Sequence, residues 1–531
     1  MIDWEMKSMK TQTVTVQNKY MVLPVNPHVG KKRIFFFENE STLVWDFDAP
    51  IDFLHPTHFT YLDLSHLMGK TLTLSALPSM KLAFFFTDVI PDGYYHEPWR
   101  PIVHFSAKIG WINDPNGMVY DGARYHLFFQ HNPTDSTWGN MTWGHAVSTD
   151  LVHWSQLDEA LIPDGMGTMF SGSGIVDKHN VSGLKENEQD PILLFYTAAG
   201  GNSSLSKDQP FTQCMAYSTD GGNTFRKYAH NPVIPHIKGG NRDPKVVWCD
   251  ELSCYLLALY LDGDEYAIFR SGDLLHFTEL QRLHLTGDDE CPDLYPLPVE
   301  GEEGVRKWVF SGASDFYLVG DFVDRKFTPC QESTPCFFGH RTGYAAQTFS
   351  DAPRDRRIKM AWNILHAPES VFENQMGIPT RISLKKADGI YRLCTVPVEE
   401  LASLRAETTV HRVGDRLQVE LTRDGYDIEL TAPMDSPDFD LRFFGYTIRV
   451  RPSENKICYR DVTMPLSFTK EGIAIRLIVD TLGVEIFTDS GLAWSVMSGP
   501  SDYNLSDLMI TPPGERDLDA VVKLHRLRGI W

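Results

Sequence analysis

The chain has 531 residues, which corresponds to about three or four domains of ~150 residues each. Its apolar share of 42% and charged share of 22% are those of a globular protein, and 12% of its residues are aromatic. With 49 Lys and Arg against 70 Asp and Glu, the net charge of −21 disfavours binding to nucleic acid or to anionic lipid. A neutral or cationic substrate is therefore expected.

The sequence shows neither an obvious targeting segment nor a cysteine pattern typical of disulfides or zinc sites. No run reaches the ~18 apolar residues of a membrane-spanning helix, so we expect no membrane partner. The N-terminal sequence MIDWE carries acids where a secretion signal carries basic and then apolar residues. We therefore expect a cytoplasmic location for the sequence as written, and an extracellular one if it has been trimmed. The eight cysteines lack Cys-x2-Cys pairs and zinc-spaced His partners, which predicts reduced thiols and no metal site.

Residues 1–98 carry strand signals but no repeat. The sequences VWDF (44–47) and TLTL (71–74) alternate with a period of two, which predicts β-strands. Two phenylalanine runs, at residues 35–37 and 84–86, require burial within the segment or at an interface. We predict a β-rich accessory domain that carries none of the chemistry and packs on the repeat region that follows it or on a second subunit, which leaves homo-oligomerisation open.

A recurring pattern marks residues 99–395, where short predicted strands alternate with turn sequences. The motifs AVSTD, AYSTD and RSGD end at Asp150, Asp220 and Asp273, and an aromatic residue follows each of them four or five residues later. Repeats of about 40 to 70 residues, each a few antiparallel strands, are typical of a β-propeller. Five units follow from this pattern: residues 111–160, 168–230, 241–282, 288–328 and 343–393. The alternative is a set of unrelated hairpins in another all-β fold.

The last part of the chain changes pattern again. Residues 417–421, 446–450 and 473–478 alternate cleanly between apolar and polar, as half-buried strands of a β-sandwich do. The predicted fold is therefore all-β. It consists of an N-terminal β-rich domain (1–98), a five-bladed β-propeller (99–395) and a C-terminal β-sandwich (400–531).

Three carboxylates stand near the starts of predicted propeller units. Asp114 and Asp243 each precede a proline at the beginning of a hairpin, as Asp190 also does, and Glu290 opens the fourth unit. Equivalent positions of propeller blades lie at the same height around one axis, so Asp114, Asp243 and Glu290 are expected to converge on one rim. Crowded like charges raise at least one pKa, and paired carboxylates are the usual equipment for glycoside hydrolysis.

Each of these motifs can also be explained by a structural role that involves no catalysis. DPNG at residues 114–117 is a good turn sequence, Arg242 and Asp243 can form a local ion pair, and Glu290 can be a solvated loop charge. Their occurrence at unit starts, in order along the chain, favours a shared site.

The sequence WINDPNG at residues 111–117 closely resembles the signature of glycoside hydrolase family 32, which comprises invertases, inulinases, levanases and related fructosyltransferases. Further similar motifs follow in the family order: FFQHNP (128–133), WGNMTWGHA (138–146), FSGS (170–173), RDP (242–244), ECP (290–292) and LIVDTLGVEIF (477–487). The resemblance implies a five-bladed propeller followed by a β-sandwich, and it leaves residues 1–98 without a counterpart.

The resemblance also implies catalytic roles. Asp114 is assigned as the nucleophile, Glu290 as the general acid/base, and Asp243 as the stabiliser of the transition state. Cleavage with retention then passes through a covalent fructosyl-enzyme. Asp114 has to be ionised, with donors including Asn113, whereas Glu290 has to keep its proton through burial and neighbouring carboxylates.

Seven further positions match family residues of the substrate site: Asn113, Gln130, Trp138, Phe170, Ser171, Arg242 and, in the fifth unit, Trp362. Amide, hydroxyl and guanidinium groups suit sugar hydroxyls, and indole and phenyl rings suit sugar faces; the alternative for the two tryptophans is packing between blades. Cys291 is expected to be a packed thiol, and His131 and His145 to be hydrogen-bonded supports. The family chemistry needs neither a metal nor a cofactor.

These observations predict a β-fructofuranosidase that releases terminal fructose from sucrose, fructo-oligosaccharides, levan or inulin. A fructosyltransferase on the same scaffold is the nearest alternative, because no residue decides whether water or sugar accepts the fructosyl group. A non-catalytic fructan-binding protein is the other alternative, and the presence of all three carboxylates argues against it. A fructose-containing oligo- or polysaccharide is the expected partner.

Overall fold

The computed structural model describes residues 10–39, 41–387, 389–466, 472–512, 514 and 517–531. Nearly all its regular structure is β-strand, arranged in three successive sets of sheets along the chain. Within these described ranges, no helix is long and apolar enough to cross a membrane. The all-β fold predicted from the sequence is confirmed.

The N-terminal set consists of a four-stranded and a three-stranded sheet, in the orders β1-β6-β3-β4 and β5-β2-β7. Its strands are β1 (Gln12–Thr15), β2 (Tyr20–Val25), β3 (Lys32–Glu38), β4 (Thr42–Ala49), β5 (His58–Asp63), β6 (Thr71–Leu77) and β7 (Phe85–Thr87). Phe36, Trp45 and Phe47 pack together in its core. Of the two phenylalanine runs, Phe36 and Phe84 are buried, whereas Phe85 is 54% exposed.

Four sheets of five, four, four and ten strands follow and form the propeller. The ten-stranded sheet divides at the parallel pair of β20 and β29, so the antiparallel strands fall into five groups. The first group is β8 (Gly110–Tyr120), β9 (Tyr125–Asn132), β10 (Thr142–Ser148) and β11 (Ser155–Gln156). The second is β12 (Thr168–Val176), β13 (Ile192–Ala199), β14 (Phe211–Ser218) and β15 (Arg226–Lys227). The third is β16 (Arg242–Cys249), β17 (Cys254–Asp262), β18 (Glu265–Ser271) and β19 (Thr278–His284). The last two are β20 (Asp293–Glu300), β21 (Arg306–Ser311), β22 (Phe316–Val323), β23 (Lys326–Pro329) and β24 (Thr334–Pro335); β25 (Gly343–Thr348), β26 (Arg357–Asn363), β28 (Gln375–Met376), β29 (Thr380–Ala387) and β30 (Ile390–Pro397).

The first strands of the first four groups contact one another in turn, the fourth group contacts the fifth through β20 and β29, and β25 of the fifth group contacts β8 of the first. A short strand near the end of the propeller sequence, β27 (Phe372–Glu373), pairs in parallel with the start of β8. The backbone N–H of Tyr120 also donates to the carbonyl of Ser350 at 3.0 Å. These hydrogen bonds join the first and last groups into a ring.

The recurring aspartates of the sequence belong to one repeated turn. Asp150, Asp220 and Asp273 each follow the third strand of a group, and each accepts a hydrogen bond from the serine two residues earlier, at 3.1, 2.7 and 3.0 Å. Each carboxylate also accepts hydrogen bonds from side chains and backbone N–H groups of residues that follow it, and these donors outweigh burial and lower the pKa of all three. The repeat is therefore a structural device that turns the chain towards the outermost strand.

The C-terminal set is a sandwich of two six-stranded antiparallel sheets, in the orders β31-β42-β33-β38-β39-β40 and β32-β41-β34-β35-β36-β37. Its strands are β31 (Arg405–Val413), β32 (Leu417–Glu420), β33 (Gly425–Ala432), β34 (Phe439–Phe443), β35 (Tyr446–Arg451), β36 (Lys456–Tyr459), β37 (Val462–Pro465), β38 (Ile473–Val479), β39 (Gly483–Thr488), β40 (Ala493–Ser498), β41 (Asp507–Thr511) and β42 (Ala520–Leu527). Short 3-10 segments occur at Ser65–Leu67, Glu399–Leu404, Pro452–Glu454 and Asp489–Gly491.

A buried ion pair joins the chain just before β8 to the sandwich. The Nδ1 atom of His104 lies 2.7 Å from Oδ2 of Asp480, whose carboxylate also accepts the backbone N–H groups of Ile102 and Val103. Glu485 lies on the other side of the imidazole, with Oε1 3.4 Å from Nε2. Burial opposes the charge of His104, but the two carboxylates outweigh it and raise the pKa of this histidine to about 9.

This ion pair predicts a pH dependence of stability. Because the folded pKa of His104 is raised from 6.5 to about 9, its stabilisation is fully present below pH 6.5 and is lost as the pH rises towards 9. His104→Gln should lower the free energy of unfolding by about 3 kcal/mol at pH 6 and flatten its decrease between pH 6.5 and 9. Denaturant unfolding across this pH range measures both effects.

The exposed His153, at the turn that contains Asp150, offers the matched control. His153→Gln should keep the native slope of stability against pH. An unchanged slope in His104→Gln would contradict the role given to this imidazole.

Candidate active site

The first strands of the five propeller groups bring the predicted catalytic residues to one rim. Asp114 lies in β8, Ser171 in β12, Asp243 in β16 and Tyr344 in β25, while Glu290 lies three residues before β20. Each group thus supplies at least one side chain to a single cluster. The structure brings together the three carboxylates that the sequence places at the starts of the first, third and fourth groups.

Irregular backbone aims these side chains into the cluster. The pairing register shifts within four of the five first strands: between Ile112 and Pro115, Phe170 and Gly172, Arg242 and Lys245, and Tyr344 and Gln347. Bulges of this kind redirect a side chain relative to a regular strand. Asp243 and Glu290 also have left-handed backbones, with φ of 66° and 60°, which non-glycine residues adopt at a cost and often at functional sites.

Asp114 receives hydrogen bonds on both carboxylate oxygens. Asn113 Nδ2 donates to Oδ1 at 3.0 Å, and Ser171 Oγ donates to Oδ2 at 2.5 Å. Burial raises the pKa of Asp114 above its usual value and the charge of Glu290 adds to the increase, whereas the two donors act against it. The donors expected for an ionised Asp114 are therefore present, and Asn113 is one of them.

Asp243 is the most enclosed of the three carboxylates, at 2% exposure. Its Oδ2 accepts the backbone N–H of Cys291 at 3.0 Å, and the Cys291 Sγ lies 3.5 Å from the same oxygen and 3.6 Å from Asp114 Oδ2. Burial raises the pKa of Asp243 to about 7; the charges of Glu290 and Asp114 reinforce the rise, and the guanidinium of Arg242 opposes it. Cys291 is a packed thiol, as expected, and it separates two carboxylates.

Glu290 has a different electrostatic environment. Arg242 Nη2 donates to Oε1, and Tyr344 OH donates to Oε2 at 2.6 Å. Burial opposes ionisation, but the guanidinium charge and these hydrogen bonds outweigh it, so the pKa of Glu290 lies below its usual value. The prediction that Glu290 keeps its proton through burial and carboxylate neighbours is therefore wrong for the free protein, because Arg242 and Tyr344 stabilise the anion.

Aromatic rings form two sides of the cluster. Trp138, 51% exposed, lies edge-to-face against Phe170 at 5.9 Å between ring centroids, and Phe170 lies edge-to-face against Phe211 at 5.5 Å. On the other side, Trp362 lies between Trp111 and Tyr344, at 5.9 and 6.4 Å. Among the residues that the structure describes, the Trp362 indole N–H has no hydrogen-bond partner, which leaves it free to donate to a ligand.

Gln130 contributes to the cluster indirectly, through a hydrogen bond with Asn116. This side chain is 3% exposed, and its amide nitrogen lies 2.9 Å from the amide oxygen of Asn116 when that amide is oriented to satisfy its neighbours. The nitrogen of Asn116 then lies 3.3 Å from Ser171 Oγ, the donor to Asp114. The glycine after Ser171 is required here, because a Cβ on Gly172 would lie 1.9 Å from the carbonyl oxygen of Phe195.

The sequence pattern does not single out several residues of the cluster. Tyr344 and Phe211 are the main ones, and Tyr344 stands at the start of the fifth repeat, a position whose equivalents in other repeats carry the chemistry. Conversely, Asp190 shares the Asp-Pro signal but precedes a second strand, β13, and pairs with Lys185 at 2.6 Å. Asp-Pro alone is therefore not a marker of the site.

The two histidines near the site are supports, as predicted. His131 lies 2.6 Å from Glu159 and 2.9 Å from the carbonyl of Ile109, and His145 lies 3.0 Å from His126. Both imidazoles therefore have protein partners.

One cluster of potential metal ligands lies in the sandwich, away from this rim. Asp427, Glu429 and His525 approach one another there, but Arg405 donates to both carboxylates and Arg476 to Asp427. Guanidinium groups thus already occupy the positions from which a cation would be bound.

A carboxylate with donors on both oxygens, a second carboxylate held by an arginine and a tyrosine, and flanking aromatic rings define the active site of a glycoside hydrolase. Residues 104–397 match the model of the glycosyl hydrolases family 32 N-terminal domain. The chain belongs to glycosyl hydrolase family 32.

Named relatives and solved structures agree with this membership. The chain is 33% identical over 468 residues to a levanase of Bacillus subtilis, covering 77% of this chain and 67% of that protein. It is 31% identical over 429 residues to an invertase of Schizosaccharomyces pombe, covering 75% and 69%. The exo-inulinase of Aspergillus awamori shares the fold, with a TM-score of 0.74 at 24% identity over 83% of this chain and all of that one.

Proposed function

We propose that this protein is a retaining β-fructofuranosidase that releases terminal β-D-fructose from sucrose, fructo-oligosaccharides and fructans such as levan and inulin. The observation that carries the proposal is the arrangement of Asp114, Asp243 and Glu290, each with separate hydrogen-bond donors, on one rim of the propeller. Relatives named levanase, invertase and exo-inulinase support the same substrate class.

The reaction divides between two carboxylates. Asp114 attacks the anomeric C2 of the fructosyl unit while Glu290 gives its proton to the departing glycosidic oxygen, and the C2–O bond breaks. The resulting ester between Asp114 and fructose is then hydrolysed by a water molecule, whose proton returns to Glu290. Asp243, fixed by the N–H of Cys291, supplies negative charge beside the oxocarbenium-like transition state.

Substrate binding has to change the protonation of Glu290. In the free protein, Arg242 holds this carboxyl in its charged form. A fructosyl unit whose hydroxyls take up the donors of Arg242, and which displaces water from Glu290, raises the pKa of that carboxyl. Glu290 is therefore protonated, and can act as the general acid, once the substrate is bound.

The decisive experiment is product analysis on sucrose, inulin and levan side by side. We expect fructose from all three, with fructose as the first product from either polymer, since a terminal unit is the proposed target. The absence of free fructose from every substrate would overturn the proposal, whereas fructosylated products in place of fructose would identify a transferase.

Tyr344→Phe provides a test of the acid/base assignment. Removing the hydroxyl that donates to Glu290 raises the pKa of Glu290, so the proton is kept to higher pH. The basic limb of kcat against pH, which reports the substrate complex, should move upward by about 1 to 2 pH units, since a hydrogen bond to a charged group contributes roughly 1.5 to 3 kcal/mol. The measurement is sucrose hydrolysis across pH at saturating substrate concentration.

Tyr266→Phe is the matched control, because its hydroxyl contacts the backbone carbonyl of Glu290 at 3.2 Å instead of the carboxylate. This variant should leave the basic limb in place. A basic limb that stays fixed, or moves to lower pH, in Tyr344→Phe would count against Glu290 as the acid.

A further inference from the structure

The N-terminal domain lies against two loops of the propeller that lead to the aromatic side of the active site. Its contacts come from the β3–β4 strand pair and the residue just before it. We use the term brace for the four residues that make them: Lys31, Arg33, Asp46 and Asp48.

The first braced loop joins β9 to β10 and carries Trp138. On one side, Lys31 Nζ lies 2.7 Å from the carboxylate of Asp135 and 2.6 Å from Thr137 Oγ1. On the other side, the backbone N–H and carbonyl of Asp48 bond with the amide of Asn140, at 2.9 and 2.7 Å. Trp138 therefore lies between two points at which the N-terminal domain holds the loop.

The second braced loop joins β13 to β14 and ends at Phe211, the first residue of β14. The buried carboxylate of Asp46 accepts the backbone N–H groups of Ser204 and Leu205 at 2.9 and 3.0 Å. Arg33 Nη1 donates to Ser204 Oγ at 3.1 Å. The N-terminal domain thus satisfies otherwise unpaired backbone donors of a loop that leads directly to an active-site ring.

These loops hold the two ends of one aromatic row. Trp138 and Phe211 flank Phe170 edge-to-face, and Phe170 precedes Ser171, the donor to Asp114. A half-exposed indole at the end of such a row presents a flat apolar surface to a ligand. The indole contributes more to ligand affinity when the loop already holds it in place, because the entropy lost in ordering a mobile side chain at binding weakens affinity.

We propose that the N-terminal domain determines the affinity for fructosides by holding Trp138 and Phe211 in place, and that Lys31 and Asp46 are positioning residues for substrate. The proposal rests on the proposed function and extends it to a domain without chemistry of its own. Because the brace touches no reacting atom, its loss raises KM and leaves kcat close to the native value.

The test uses Lys31→Met and Asp46→Ala in the full chain, with kcat and KM for sucrose as the readout. Each variant should raise KM about threefold to tenfold, the effect of an aromatic side chain that has to be ordered at binding, and change kcat less than twofold. Lys31→Arg keeps the charge and should restore most of the affinity. Thermal unfolding of each variant establishes that the chain is folded.

The contribution of Trp138 is isolated by a double-mutant cycle. If Lys31 acts through Trp138, Lys31→Met should have no further effect on KM in a Trp138→Ala background. Lys19→Met is the matched control, because Lys19 also joins this domain to the propeller, through Asp158 at 2.6 Å, at contacts separate from the aromatic row. It should leave KM unchanged in either background.

Two outcomes would overturn the inference: a native KM in Lys31→Met, or an increase in KM that persists fully without Trp138. Lys31 is a partly exposed side chain, so this variant decides the matter even if Asp46→Ala fails to fold. A native protein that releases no fructose would instead refute the proposed function, so the two failures are distinguishable.

Discussion

Asp114→Asn should lower kcat for sucrose by about 10⁴-fold or more while thermal unfolding stays close to that of the native protein. An amide is a poor nucleophile, so the covalent intermediate cannot form at a useful rate. The amide oxygen can still accept the hydrogen bond that Ser171 gives at 2.5 Å, which preserves the local structure. Initial rates on sucrose together with a melting curve check the prediction.

Asp190→Asn offers a matched control, because Asp190 has the same Asp-Pro sequence but lies at the start of a second strand, in an exposed pair with Lys185. Its turnover should equal that of the native protein. Near-native turnover in Asp114→Asn, with melting unchanged, would remove Asp114 from the role of nucleophile.

Glu290→Ala should lose several orders of magnitude of turnover on sucrose, yet much less on fructosides with a good leaving group. The acid is needed mainly to protonate the departing oxygen, and an activated leaving group departs without that help. Added azide should then accelerate the second step, because it attacks the intermediate without a general base. The comparison of sucrose with an activated fructoside, with and without azide, measures both effects.

The configuration of the azide product provides an independent check. Attack on a fructosyl ester of Asp114 yields a fructosyl azide with the configuration of the substrate, whereas direct displacement yields the inverted product. Equal loss of rate on natural and activated fructosides, or an inverted azide, would mean that Glu290 is not the acid.

Much of this architecture could be predicted because the repeats leave local marks. The Ser-x-Asp turns that end at Asp150, Asp220 and Asp273 are made by residues within six positions of one another, so the sequence contains the whole interaction. Asp114, Asp243 and Glu290 could be found because they occupy starts of repeats. Asp190 shows the limit of that signal, since the same dipeptide also precedes the second strand of a group.

The electrostatics of the site depended on contacts that no local pattern records. Tyr344 lies 54 residues from Glu290 in sequence and comes from another propeller group, yet it helps to lower the pKa of that carboxyl. Arg242 also forms a closer ion pair with Glu290 than with the adjacent Asp243, whose Oδ2 is 3.8 Å from the guanidinium Nε. Crowding among carboxylates predicts that Glu290 keeps its proton, but the cations and donors around each carboxylate decide which group is charged.

The closure of the ring sets an order of events during synthesis. The inner edge of β8 pairs with residues 371–373 and its far end with Ser350, so the first group has an unpaired edge until more than 230 further residues have been made. At 5–20 residues per second this interval is on the order of tens of seconds. The N-terminal domain, whose strands end at Thr87, is complete much earlier and already presents the surface on which the first two propeller groups pack. The first two groups of a nascent chain therefore have this surface to pack on while the inner edge of β8 is still unpaired.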